Sequence, residues 1–347
     1  MTRSTTRVSS ALALAILLLV PGCAAPKKAT IGSPWPRAER ERVVERPAEP
    51  PRWPLTGLPA PDEASTHARV VSVKIENSRP ARPQTGLDQA DVVYETLTEG
   101  GITRFNALFQ SKAPAVVGPV RSARLSDTNI VPQYGALFAH VGGNSGVIRR
   151  LRALHVQDLD QYFNPSPYWR SSARSMPHNM YLSIVRLRAL ARRKGFSATQ
   201  SVTPFAFERA TAPATSPVAA IEVPFAPDNR VQWAWDASSK SYLRSIDGRP
   251  HIDKETRRQY RATNVIVLWT RIDQTVRDRL GNPTLEIRLT GSGRVAVFRM
   301  GRRYDGTWSA GASAPPVLRA EDGTLLRLSP GTTWVQVLPT SVNISTR

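Results

Sequence analysis

The apolar positions of this chain fall into three regimes. From Ala11 to Val20 they run unbroken behind two cations, Arg3 and Arg7, and stop at Pro21-Gly22-Cys23. From Ala24 to about Pro54 they thin out among prolines and charges, with no helix or strand period long enough to bury a face. Beyond that they return in short blocks. Val70 to Ile75 predicts a buried strand; Val92 to Leu97 and Ile102 to Phe109 predict two more, joined through Gly100-Gly101 as a hairpin. Ala136 to Val141 predicts a fourth, followed by a helix with Val147, Ile148, Leu151 and Leu154 on one face. A second helix is expected from about Ser183 to Lys194. Its last turn places Arg192, Arg193 and Lys194 at the negative dipole end, just before Gly195 at C′.

From Ser197 to about Pro217 the chain turns to Thr, Ala, Pro and Ser, the composition of a connection. Past it the pattern is almost wholly β. Val231 to Trp235 pairs with Ser241 to Arg244 through a polar turn, and Asn264 to Thr270 is a strand rich in Val and Ile. Leu285 to Leu289 and Val295 to Phe298 flank Gly291-Ser292-Gly293, a hairpin signal, and Thr333 to Leu338 closes the series. The expected fold class is α+β. A mixed α/β domain over 53–196 is joined by a connection over 197–217 to a smaller antiparallel β-rich domain over 218–340.

The N-terminal pattern of charge, apolar run and small residue is that of a secretory signal, residues 1–22. The apolar run is too short to span a bilayer, which takes about 20 apolar residues. Leu19-Val20-Pro21-Gly22-Cys23 resembles a bacterial lipobox, with Pro21 departing from its usual residue types. Cys23 is the single cysteine, so a disulfide framework and a Cys-rich zinc site are both excluded. Lipidation gives that lone thiol a purpose. The reading that follows is an exported protein, lipid-anchored at Cys23 to the outer face of the cytoplasmic membrane, with residues 23–52 as a tether.

The net charge of +20 suggests an anionic neighbour: lipid headgroups, phosphate-bearing wall polymers or nucleic acid. Export disfavours nucleic acid. A plainer source of the charge also stands, because all but seven of the 47 basic residues are arginine, as a GC-rich genome produces.

Several segments carry a resemblance. They include Pro54-Leu55-Thr56-Gly57-Leu58-Pro59, Ala81-Arg82-Pro83-Gln84-Thr85-Gly86-Leu87, Ala90-Asp91-Val92-Val93-Tyr94-Glu95, and Glu99-Gly100-Gly101-Ile102-Thr103-Arg104-Phe105. With Gly118-Pro119-Val120-Arg121-Ser122-Ala123-Arg124, His140-Val141-Gly142-Gly143, Pro177-His178-Asn179-Met180-Tyr181 and Pro330-Gly331-Thr332-Thr333-Trp334-Val335, the chain resembles the YerB-like lipoproteins from about residue 53 to 340. That resemblance implies a two-domain envelope lipoprotein and implies no activity.

Candidate chemistry concentrates in the first domain: Glu95, Glu99, Arg104, Arg121, Arg124, His140, Ser145, His178 and Asn179. The strand ending at Val141, the Gly142-Gly143-Asn144-Ser145-Gly146 loop and the following helix would present free backbone N–H groups and a positive dipole end to an anion. Arg121 and Arg124 would add guanidinium forks for phosphate or carboxylate. The loop matches neither a dinucleotide fingerprint nor a Walker A, and Val147 stands where a G-x-S-x-G elbow needs Gly. Glu95 and Glu99 would be about 13 Å apart along a strand, against about 5–9.5 Å for a glycosidase pair. The leading expectation is a binder of an anionic wall polymer fragment or phosphorylated metabolite, with no cofactor and no metal, and with the β-domain supporting it or docking a protein partner. An envelope hydrolase using His140, Arg124 and Glu95 is the alternative. Trp233, Trp235 and Trp334 are expected in the core rather than on a sugar platform.

Overall fold

The computed structural model describes residues 49–203, 205–208, 217–277 and 283–347. The signal, Cys23 and nearly all of the tether lie outside the described residues. The N-terminal half contributes β1 (Val71–Glu76), β2 (Val92–Leu97), β3 (Thr103–Phe109), β4 (Leu137–Ala139), β5 (Tyr168–Arg170) and β6 (Met180–Leu182). Its helices are α1 (Glu63–Thr66), α2 (Asp127–Gln133), α3 (Ser145–Ala153) and α4 (Ile184–Arg193). Asn144 Oδ1 caps α3 by accepting from Val147 N–H at 2.9 Å, and Ser183 Oγ caps α4 from Arg186 N–H at 3.4 Å.

The C-terminal half supplies the remaining strands. They are β7 (Ala220–Ala226), β8 (Asn229–Asp236), β9 (Ser241–Ile246), β10 (Arg249–Pro250), β11 (Arg261–Ala262), β12 (Asn264–Thr270) and β13 (Ile272–Arg277). After them come β14 (Pro283–Ile287), β15 (Gly291–Arg299), β16 (Arg302–Ala310), β17 (Val317–Arg319), β18 (Thr333–Pro339) and β19 (Ser345–Thr346).

The two halves share one sheet. Nine strands run in the order β17-β16-β15-β12-β18-β2-β3-β1-β4, and β18 lies parallel to β12 on one side and to β2 on the other. A second sheet, β10-β9-β8-β7-β19 with β11 paired to β9, packs on one face of the first. The sequence pattern follows from this layering. Strands β1, β3 and β12 are buried at every position because both faces of the long sheet are covered, so they read as runs. Strand β7 alternates between buried and half-buried because only one face of its sheet meets the core.

The odd-numbered side chains Val73, Ile75, Val93, Phe105 and Ala107 face the second sheet and α4, meeting Trp233, Tyr242 and Leu187. The opposite face, with Val92, Tyr94, Leu108, Ile266 and Val335, meets α2, α3 and the segment after β14. The strand β18 joins the halves with Trp334, edge-on to Phe105 at 5.4 Å and to Trp233 at 5.2 Å. Trp233 and Trp334 are thus core residues, and Trp235 packs on Tyr242.

Four expectations need correction. The C-terminal half is not a smaller module: it provides most of the described strands, and the fold is strand-dominated. It is not wholly antiparallel, since β18 is parallel to both neighbours. Gly291-Ser292-Gly293 is no turn; it opens β15, whose hairpin partner is β16 through Met300-Gly301, both at positive φ. Gly293 is there for close approach, because a Cβ would lie 2.4 Å from the Trp269 carbonyl and 2.7 Å from Trp308 Nε1. Leu154, expected on the buried stripe, follows the last turn of α3 and is exposed.

Candidate functional site

Strand alternation decides which polar residues meet. On β1, Lys74 and Glu76 point to the α2/α3 face, and the register sets them beside Asn106 and Arg104 on β3. Lys74 Nζ donates to Asp127 Oδ1 at 2.6 Å and to Asn106 Oδ1 at 2.9 Å, all fully buried. Burial lowers the Lys74 pKa, with the Asp127 carboxylate opposing that shift. Asp127 Oδ2 in turn accepts the Arg124 backbone N–H at 2.7 Å, fixing where Arg124 starts.

Glu76 Oε1 gathers Ser78 Oγ at 2.7 Å, His178 Nδ1 at 2.9 Å and Arg121 Nε at 3.2 Å. Arg104 donates to the Ser122 carbonyl at 2.8 Å, and Arg124 Nε donates to Glu99 Oε2 at 2.8 Å. Burial, then the charges of Arg124 and Arg121, push the Arg104 guanidinium down to about 9. Five of the expected residues therefore converge: Glu99, Arg104, Arg121, Arg124 and His178. Glu76, which holds Arg121 and His178 and lies opposite Arg104 in register, was not singled out from the sequence, where it reads as the end of a strand.

Beside this cluster lies an open cleft of about 830 Å³, floored by Ser122, Arg124 and Glu99 and walled by Gly142, Gly143, Ser145 and α3. Positions 145, 148, 149 and 152 form one stripe of α3, and all four line the cleft. Arg149 and Arg152 on that stripe were missed; the i, i+3 spacing of two arginines opposite Val147 and Leu151 was the available signal. Both carboxylates in the cleft are committed. Glu99 holds Arg124, and Asp160 Oδ1 accepts Gly142 N–H at 2.8 Å and Tyr162 N–H at 3.2 Å. Arg149 and Arg152 have no acidic or hydrogen-bonding side-chain partner among the described residues. Tyr162 and Phe163 stand over the opening, 68% and 73% exposed. Gly142 has φ of +60°, and a Cβ there would come within 2.9 Å of the Tyr162 ring.

The other expected residues lie elsewhere. His140 is buried behind the loop, stacked on Phe138 at 4.6 Å, with Nδ1 2.9 Å from the Gly142 carbonyl and Nε2 2.9 Å from Asp158 Oδ1. Burial alone would lower its pKa. The hydrogen bond and charge of Asp158, with help from Asp160, outweigh it, so the pKa is raised. An imidazolium donating from both nitrogens fits this setting, which ties down the loop and leaves neither nitrogen free as a base. Asn179 accepts from Arg170 at 2.8 Å and donates to the Ser171 carbonyl at 3.1 Å, a local brace.

Glu95 points to the opposite face of the sheet. Its Oε1 accepts from Arg244 Nη2 at 3.0 Å, Thr103 Oγ1 at 2.8 Å and Asn77 Nδ2 at 3.3 Å. Arg244 lies over the Trp334, Trp233 and Phe105 rings at 4.9–5.6 Å. Glu95 thus lies across the sheet from His140 and Arg124, each of the three has its own partners, and Glu95 and Glu99 form no carboxylate pair. Among the described residues no group of His, Cys, Asp and Glu is placed to hold a metal, and no helix is long and apolar enough to cross a membrane.

Known proteins share this fold and its order of two domains. The family model for the protein of unknown function DUF3048 N-terminal domain matches residues 55–197, and that for the DUF3048 C-terminal domain matches 221–335. The putative lipoprotein YerB of Bacillus subtilis (strain 168) is 31% identical over 307 residues, 87% of this chain and 90% of the relative. The crystal structure of YerB from Bacillus subtilis superposes with a TM-score of 0.76 at 30% identity, covering 85% of this chain and 99% of that one. Two ordered domain matches, one relative along nearly its whole length and a common fold lead to one conclusion: the chain belongs to the YerB-like DUF3048 family.

Proposed function

We propose that this protein is an exported lipoprotein, anchored through Cys23 to the outer face of the cytoplasmic membrane, that holds an anionic ligand in the cleft beside α3. The ligand class is a wall polymer fragment or a phosphorylated metabolite. One observation carries the binding reading: Arg149 and Arg152 face an 830 Å³ cleft whose two carboxylates already have partners. An anion entering the cleft would meet uncompensated guanidinium groups, the amino end of a helix and a polar floor. The anchor is supported by the lipobox-like segment and by the relative, itself named a putative lipoprotein.

The test uses the full chain in nonionic detergent, sedimented with purified cell-wall sacculi at low and high salt. Salt-sensitive cosedimentation that falls about tenfold in Arg149→Ala/Arg152→Ala is expected. Equal sedimentation of wild type and variant would remove the cleft from consideration, and release of soluble wall fragments would favour a hydrolase. For the anchor, Cys23→Ser is expected to move the protein out of the membrane fraction; unchanged membrane association would refute lipidation at that residue.

A further inference from the structure

A second basic pocket lies on the seam between the two matched halves, away from the α3 cleft. Its N-terminal side is the loop after β1, which brings Arg79 and Arg82; its C-terminal side, around β10, brings Arg249 and Arg257. The pocket is about 540 Å³, within the range that takes a small organic ligand. It holds one carboxylate, Asp247, already shared by Arg82 Nη1 at 3.2 Å and Arg79 Nε at 3.8 Å. Arg249 and Arg257 have no ion-pair or hydrogen-bonding side-chain partner among the described residues. Four guanidinium groups thus face one spoken-for acid.

The floor is fixed and uncharged. His251 is buried, its Nδ1 accepting from Arg244 Nε at 3.0 Å. That bond makes the other nitrogen, 2.8 Å from Gln84 Oε1, the N–H donor. The ring is therefore neutral and held in one tautomer. Around it, Pro83, Ile246, Pro250 and Ile252 give the pocket apolar walls.

We propose that this seam pocket is a second anion site, for a phosphate monoester or diester carrying a small organic body. The guanidinium forks suit phosphate oxygens, and the apolar walls would lie idle against a bare inorganic ion. A ligand here would touch both halves at once, through Arg79 and Arg82 on one side and Arg249 and Arg257 on the other. The phosphate is either that of a soluble ester or that of a lipid headgroup, and the test separates the two.

The full chain in phosphatidylcholine nanodiscs is titrated with glycerol 3-phosphate by calorimetry, and again in discs with part of the lipid replaced by phosphatidylglycerol. Wild type is compared with Arg149→Ala/Arg152→Ala, which lacks the cleft arginines of α3. Binding in the neutral discs is expected to persist in that variant and to weaken about tenfold or more when Arg249→Ala/Arg257→Ala is added to it. Both seam arginines are exposed and unpartnered, so an unchanged melting curve will show that the variant folds. Loss of the heat in anionic discs identifies the lipid headgroup as occupant; equal heat in both identifies a soluble ester. No binding in neutral discs, or binding that survives Arg249→Ala/Arg257→Ala in the chain already without the cleft arginines of α3, would overturn the seam site. Binding already lost in Arg149→Ala/Arg152→Ala would do the same while leaving the α3 cleft in place.

Discussion

Two polar clusters sit on opposite faces of the same sheet, and they differ in one respect that decides what each can do. On the face toward the second sheet, Glu95, Arg244, His251 and Gln84 form a buried chain whose charged pair is covered by Phe105, Trp233 and Trp334 and which meets the seam pocket only at the uncharged His251 ring. On the other face, Glu76, Arg104, Arg121, His178, Arg124 and Glu99 form a chain that ends at an open cleft. Residue types are nearly the same in both. The closed cluster locks the halves together, since Glu95 and Gln84 come from the first and Arg244 and His251 from the second. The open one ends at the cleft where Arg149 and Arg152 of α3, without acidic partners among the described residues, can be reached by a ligand. Buried charge is therefore a poor marker of a binding site in this protein, and unpaired charge at a cleft is a better one.

The largest expected effect breaks the closed cluster. Arg244→Ala leaves Glu95 buried without its cation and is expected to cost about 3–5 kcal/mol, read as a lower denaturant midpoint. Ligand binding in the cleft should survive in the fraction that stays folded. A loss below about 1 kcal/mol would mean that the shared sheet and apolar packing hold the halves without a net contribution from this pair.

A smaller effect concerns the loop that walls the cleft. Because the His140 pKa is raised in the folded state, its ion pair with Asp158 stabilises the fold fully below the unfolded histidine value near 6.5. That contribution is lost as pH rises through the folded pKa. Melting temperature should thus fall as pH rises from about 6.5 through the folded pKa in the wild type, and less so in His140→Gln. Matching pH profiles would show that the pair contributes nothing net.

The smallest effect sharpens the contrast from the open side. Arg149→Ala should change stability by less than about 0.5 kcal/mol, because the side chain is exposed and unpartnered, while weakening ligand binding. A clear drop in melting temperature would mean that Arg149 is a structural residue.

Much of the fold was legible from local pattern. Asn264 to Thr270 was expected as a strand and is β12 to the residue; Ser183 and Lys194, expected at the ends of a helix, are its caps. Local period and capping chemistry are enough for such elements, because their hydrogen bonds close within a few residues or along one strand. The turn between β15 and β16 was missed because Met300-Gly301 lacks the Asn-Gly or Asp-Gly signature, while Gly291-Ser292-Gly293 imitated one.

The site was legible in composition and not in geometry. The sequence determined that arginines, acids and a glycine-rich helix entry recur within residues 95–179, and that a signal-like segment precedes them. Only the tertiary structure decided that Glu95 faces away from Glu76. It alone pairs β18 with β2 across some 240 residues of chain, and it alone joins Arg79 to Arg249 in one pocket. The physical reason is that a strand's two faces look alike when both are buried, and that parallel pairing leaves no local turn to announce it.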